Sequence, residues 1–183
     1  LGAGAAAQGG GQWFDVAVGA AGGGLEVIGR PVGQQEAEER YQAYCDSLAD
    51  HHIRLDARRV VKGDYTDASG ARAAQMLLQE AGRDFDAVVS SNDSMALGAM
   101  QVLRECGLRV PEDVPVTGFD DTDDGRYHQP PLTTVRQSPY EQGLQAGRML
   151  FEMLDGRQLP AQNLASAALV IRQSCGCGVN AGQ

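Results

Sequence analysis

From Leu25 to Arg172 short apolar runs alternate with segments whose apolar residues recur every three or four positions, and this alternation constrains the fold more than any other feature. The runs at 25–29, 58–61, 87–90, 114–118, 132–135 and 169–172 have the length of strands. The segments at 36–49, 69–81, 94–106 and 139–154 have the length of helices. A strand, a helix and a second strand in succession form a βαβ unit, whose crossover makes the strands parallel and lays helices on the faces of the sheet. The predicted fold class is therefore α/β, a three-layer α/β/α arrangement around a mostly parallel sheet. With 183 residues, 43% of them hydrophobic, the chain can bury one substantial core.

Local signals sharpen this reading. The first helix carries Ala37, Tyr41, Tyr44, Cys45 and Leu48 on one stripe, and Gly107 stands where the third helix needs a left-handed stop residue. The fourth is the best marked, with Ser138 as N-cap, Pro139 at the first helical position, Glu141 three residues after the cap and Gly156 beyond the end. Leu144, Gly147, Phe151 and Leu154 are its predicted buried face. Pro115 cannot donate a ladder hydrogen bond, so its strand is expected to begin late or to lie near an edge. Residues 1–24 are rich in glycine and alanine and weakly patterned, although 13–18 reads as one short strand.

Charge and composition narrow the function. The formal net charge is -9 and Lys62 is the only lysine, so no basic stripe is available to neutralise a row of phosphates. By itself the chain is expected not to grip DNA. No run approaches the roughly 18 apolar residues of a membrane helix, and the start lacks the basic-then-apolar order of a signal peptide. Of the four cysteines, Cys45 and Cys106 fall in predicted helices, where a free thiol acts as a small buried apolar group. These features together predict a cytoplasmic protein.

Motifs of catalysis and cofactor binding are weak. Gly2-Ala3-Gly4-Ala5-Ala6-Ala7 imitates a dinucleotide-binding glycine loop, but no strand precedes it to aim its N–H groups at a pyrophosphate. Cys175-Gly176-Cys177 invites a zinc reading, yet His51, His52 and His128 do not stand at a matching spacing. His51 and His52 read instead as the capped end of the first helix. The chain has no G-x-S-x-G elbow and no phosphate loop with its lysine. We therefore expect a non-enzyme without a cofactor or metal. The rival is a metal-dependent α/β enzyme built on Asp120-Asp121-Thr122-Asp123-Asp124, because clustered carboxylates repel unless something positive sits among them. The calcium-loop spacing is absent from that run.

Polar residues gather at the ends of predicted strands: Asp64-Tyr65, Asn92-Asp93 and Asp120-Asp121. In parallel α/β sheets ligands bind outside the carboxyl ends of the strands, so these three loops are expected to converge on one crevice. A carboxylate, an amide and an aromatic face suit a polyol or another polar metabolite. The competing reading is that Asp64, Asn92 and Asp93 only cap turns and helices.

The same loops resemble those of LacI/GalR-type sensor domains. The resemblance rests on Gly63-Asp64-Tyr65, Ser91-Asn92-Asp93-Ser94-Met95, Gly107-Leu108-Arg109-Val110-Pro111-Glu112-Asp113-Val114, Gly118-Phe119-Asp120-Asp121 and Pro130-Pro131-Leu132-Thr133-Thr134-Val135, in that order, together with 36–44. It implies a periplasmic-binding-protein-like fold of type I from which most of the N-terminal lobe is absent. Residues 25–128 with 165–177 would form the C-terminal lobe, 129–160 would belong to the other lobe, and 1–24 is a glycine- and alanine-rich segment in which the family's DNA-binding helices have no counterpart. It also implies a homodimer, a sugar-like effector, and DNA contact only through a domain outside this chain. Tyr65 would lie beside the ligand, Asn92 and Asp120 at polar contacts, and Arg40 and Gln137 at further positions of the site. The ending Val170-Ile171-Arg172-Gln173-Ser174-Cys175-Gly176-Cys177 is similar to sensor domains attached to diguanylate cyclases or kinases, which is the alternative output.

Overall fold

A computed structural model describes residues 25–28, 35–80, 85–160 and 167–177. The glycine-rich start and the strand expected at 13–18 lie outside the described residues. In chain order the elements are β1 (Leu25–Ile28), α1 (Gln35–Asp50), a 3-10 turn (Ala57–Arg59), β2 (Val60–Val61), α2 (Asp67–Glu80), β3 (Ala87–Ser90), α3 (Asp93–Glu105), β4 (Val116–Thr117), α4 (Asp123–Tyr127), β5 (Thr134–Arg136), α5 (Pro139–Leu154) and β6 (Ala168–Val170). The four-stranded sheet has the order β2-β1-β3-β4 and every pair in it is parallel.

Helices cover both faces. Strand side chains alternate between faces, and β3 shows the alternation directly. Val88 packs with Ala73, Leu77, Met95, Leu103 and Val116 beneath α2 and α3. Ala87 and Val89 pack with Tyr44, Leu48, Phe119 and Val135 beneath α1. The three-layer α/β/α arrangement read from the sequence is thus present. The stripe of α1 does point inward: Ala37, Tyr44 and Leu48 are buried.

Two local expectations change and a third, the late start of the strand at Pro115, is met. Arg58 and Arg59 are not in a strand, because the Asp56 carboxylate accepts from Arg58 N–H and caps a 3-10 turn there. The strand after Pro115 starts at Val116, as a residue without an N–H requires, while the Pro115 carbonyl still accepts from Val88 N–H at 2.9 Å. Cys106 is exposed at the C-cap of α3, not buried, and all four cysteines are free thiols.

The stretch 129–160 divides into two environments. Gly118 N–H donates to the Thr133 carbonyl and Asp120 N–H to that of Val135, so β5 runs parallel to the continuation of β4, with β6 antiparallel on its other side. Leu132, Thr133, Thr134 and Val135 are accordingly buried. Helix α5 is different. Its predicted signals are present, with Ser138 Oγ accepting from Glu141 N–H and Gly156 left-handed at φ 77°. None of its residues is buried, however, and its predicted inner face is open: Phe151 is 71% and Leu154 73% exposed. Periodicity fixes a helix's apolar stripe but not what covers it.

Candidate functional site

The carboxyl ends of β2, β3 and β4 carry the three polar loops, which meet on one ridge. At the β2 end Tyr65 has a left-handed backbone, φ 68°, and is half-buried. The preceding Asp64 accepts from Thr66 N–H and Oγ–H, and its carboxyl is held down to about 2, first of all by the Thr66 hydroxyl. Asp64 is thus a turn-capping group, the competing reading given above. Arg40 reaches across from α1, donating from Nη2 to the Tyr65 hydroxyl at 3.0 Å. Its guanidinium lies 4.7 Å above the Phe119 ring centroid, within cation–π range. The Arg40 Nε is buried and has no hydrogen-bond partner. Buried polar groups are nearly always paired, so Arg40 Nε is an unmatched donor at this ridge.

Asn92 lies just beyond β3 and is the N-cap of α3. Its Oδ1 accepts from Met95 N–H at 3.0 Å, capping the helix, and its Nδ2 donates to the Tyr65 carbonyl at 3.0 Å, bracing the neighbouring loop. Capping and site-building therefore coexist in one side chain. Beyond β4, Asp120 is exposed, and Gln137 Nε2 donates to its Oδ1 at 3.1 Å. Gln137 in turn accepts from Gln142 on α5. The five residues singled out in the sequence thus form two linked pieces: Arg40, Tyr65 and Asn92 in one, Asp120 and Gln137 in the other. Phe119 joins them, since it lies under Arg40, directly precedes Asp120, and accepts from Asp93 N–H at its carbonyl.

Sequence reasoning missed the groups beneath this ridge. Asp120 and Asp121 both have positive φ, 116° and 57°, where residues other than glycine are strained. The Asp121 side chain is only 3% exposed and is surrounded by Arg126, Arg136 and Arg172. Burial works against its ionisation, but hydrogen bonds and positive charge from Arg172 and Arg136 outweigh that and hold its carboxyl below the ordinary range. The positive charge that the acidic run needs is therefore supplied by guanidinium groups. Among the described residues no group of three His, Cys, Asp or Glu side chains is arranged to hold a metal ion. Thr122 caps α4, a five-residue helix with no periodic signal in the sequence.

Two cavities lie away from the ridge. One of about 530 Å³ is lined by Tyr44, Leu48 and the 53–59 turn, the other of about 390 Å³ by Met100, Leu108, His128 and Pro130 among others. Neither contains a residue of the ridge.

A model of the periplasmic binding protein-like domain matches residues 23–175. The chain belongs to this family. Among curated proteins, this periplasmic binding protein-like chain is 44% identical over 138 residues to the HTH-type transcriptional regulator AscG of Escherichia coli K12, covering 74% of the chain and 40% of AscG. It is 42% identical to GalR of the same organism, covering 76% of the chain and 40% of GalR. Among solved structures, a complex of the transcriptional regulator CelR with cellobiose superposes with a TM-score of 0.84 at 33% identity, over 91% of this chain and 51% of that one. A lac repressor dimer bound to operator and an anti-inducer gives 0.86 at 29% identity, over 92% of this chain and 50% of that one. The chain therefore spans about 40% of the curated relatives' length. These relatives are LacI/GalR-type transcription regulators, which supports that output over the diguanylate cyclases or kinases whose sensor domains the ending Val170–Cys177 resembles.

Proposed function

We propose that this chain is the effector-sensing part of a cytoplasmic, homodimeric LacI/GalR-type transcription regulator, with a sugar-like ligand held between two lobes and without catalysis. The observation that carries the reading is the convergence of Arg40, Tyr65, Asn92, Asp120 and Gln137 on one ridge at the strand ends, with the unpartnered Arg40 Nε among them. In this reading Asp120 accepts from adjacent hydroxyls, and Arg40 and the second N–H of Asn92 Nδ2 donate to ring or hydroxyl oxygens. Tyr65 presents an aromatic edge, and Gln137 orients Asp120. Binding favours the closed arrangement because only there do both walls touch the ligand, and a DNA-binding domain outside this chain responds.

Residues 25–128 with 165–177 make one wall, β5 extends its sheet, and the rest of 129–160, with α5, carries the chain toward the other lobe. The open apolar stripe of α5 supports this, since the remainder of a relative's length would include the surface that covers it. AscG, GalR and the lac repressor are regulators by name, and cellobiose in the CelR complex sets the ligand class to try first.

Calorimetry with cellobiose and a panel of mono- and disaccharides tests the reading, applied to the full reading frame and to this chain alone. The full protein is expected to bind one of them. This chain should bind the same sugar at least about a hundredfold more weakly, because roughly half the contacts are lost and each 1.4 kcal/mol is tenfold. Light scattering should show the isolated chain self-associating through α5. A strictly monomeric chain that binds a sugar at micromolar concentration would mean that the crevice is complete without a second wall. Separately, the net charge of -9 predicts no salt-sensitive binding of this chain to duplex DNA. A low-salt titration checks it, and submicromolar binding would contradict it.

A further inference from the structure

Asp93 is the most deeply buried carboxylate described, with 0% relative exposure. It is the first residue of α3, next to Asn92, and a residue there commonly does no more than face the helix N-terminus. Here its oxygens point elsewhere. Oδ2 accepts from Thr122 N–H at 2.8 Å and from Thr122 Oγ1 at 3.2 Å, while Oδ1 accepts from Thr134 Oγ1 at 2.6 Å. One carboxylate thus ties the loop after β4 to β5. The space it occupies is kept open by two glycines. A Cβ on Gly125 would come within 3.1 Å of Asp93 Oδ2, and one on Gly118 would overlap Oδ1.

The two ends of this clamp enclose the strained pair. Asp121 N–H donates to the same Thr134 hydroxyl at 3.3 Å, and Asp120 N–H to the Val135 carbonyl at 2.9 Å. On the other side, the buried Asp121 carboxylate accepts from Arg136 Nε at 2.5 Å and from Arg126 and Arg172. A backbone with two successive positive φ values persists only where its surroundings over-determine it. The surroundings here are Asp93, Thr134 and the arginines.

We infer that Asp93, acting through Thr122 and Thr134, is a positioning residue for Asp120, locking the strained 120–122 loop to the strand that leads to Gln137. This rests on the ligand role proposed above for Asp120, but the clamp can be measured without any ligand. Asp93→Ala would leave a cavity beside Gly118, so the near-isosteric Thr134→Val carries the test, with Thr134→Ser as the conservative control.

The readout is amide hydrogen exchange in this chain. In Thr134→Val the amides of Asp121 and Thr122 should exchange at least about tenfold faster, while Val88 and Val116, whose N–H groups donate to Pro115 and Ser174, stay as in the parent. Thr134→Ser should restore the slow exchange. Equal acceleration at Val88 and Val116 would reduce the Asp93–Thr134 pair to general support of the fold and overturn the proposal, as would unchanged exchange at Asp121 and Thr122. Cellobiose and the saccharide panel, titrated into the full-length protein and its Thr134→Val variant, form the second arm. If the parent binds and the variant binds equally well, positioning is refuted. If the parent binds none of them while the exchange result holds, it is the ligand reading that fails.

Discussion

Gly98→Ala is expected to destabilise the chain by about 3 kcal/mol, at the upper end of overpacking costs, and Gly98→Val to prevent folding. The reason is the contact between α2 and α3, which approach backbone to backbone through two glycines. A Cβ on Gly98 would sit 2.8 Å from the Asp67 carbonyl carbon, and one on Gly70 would sit 2.6 Å from that of Met95. Backbone cannot rotate away as the tip of a side chain can, so the helices must separate and the Ala74, Leu77, Ala99 and Leu103 packing opens with them. Alanine's better helix propensity recovers only about 1 kcal/mol of this. Gly143 and Gly147 on α5 supply the internal control, since a Cβ at either meets nothing within 4 Å. There the same substitution should raise helicity. Urea midpoints and far-ultraviolet dichroism of the four alanine variants check the pattern, and a mild effect at Gly98 would mean that the two helices are not in close contact.

Asp120→Gly should separate binding from stability more cleanly than Asp120→Ala. At φ 116° any Cβ is strained, so glycine relieves the backbone while removing the carboxylate. Hydrogen bonds to a charged group contribute about 1.5–3 kcal/mol, so affinity of the full-length protein for its sugar should fall roughly 10- to 150-fold. The melting temperature should stay level or rise. Calorimetry paired with thermal unfolding distinguishes the outcomes, and unchanged affinity would remove Asp120 from the site.

How much of this was legible in the sequence depended on the range of the forces involved. Helices α3 and α5 carry their own start and stop signals, Asn92 with Gly107 and Ser138 with Gly156, so their limits could be read locally. The strand ends carrying Tyr65, Asn92 and Asp120 followed from alternation alone. Asp93 looked like one more helix cap because its partners lie 29 and 41 positions away, beyond the reach of any spacing rule. The acidic run suggested a cation, and its neutralising arginines stand 5, 15 and 51 residues from Asp121. Thr122 begins a helix too short to show a period, and Arg58 left its predicted strand because the nearby Asp56 competes for its backbone.

The double duty of Asn92 bears on how such a receptor can change its ligand over evolutionary time. Its amide starts α3 and props the Tyr65 loop with the same few atoms, so drift at this position disturbs a core helix as well as the crevice. Gln137 carries no comparable duty to the hydrophobic layers: it is half-buried and caps no helix, whereas Tyr65 packs against the core beneath α2 and α3. New specificities within one inherited scaffold should therefore arise first at position 137, with 92 held nearly constant while the molecule recognised at its side is exchanged.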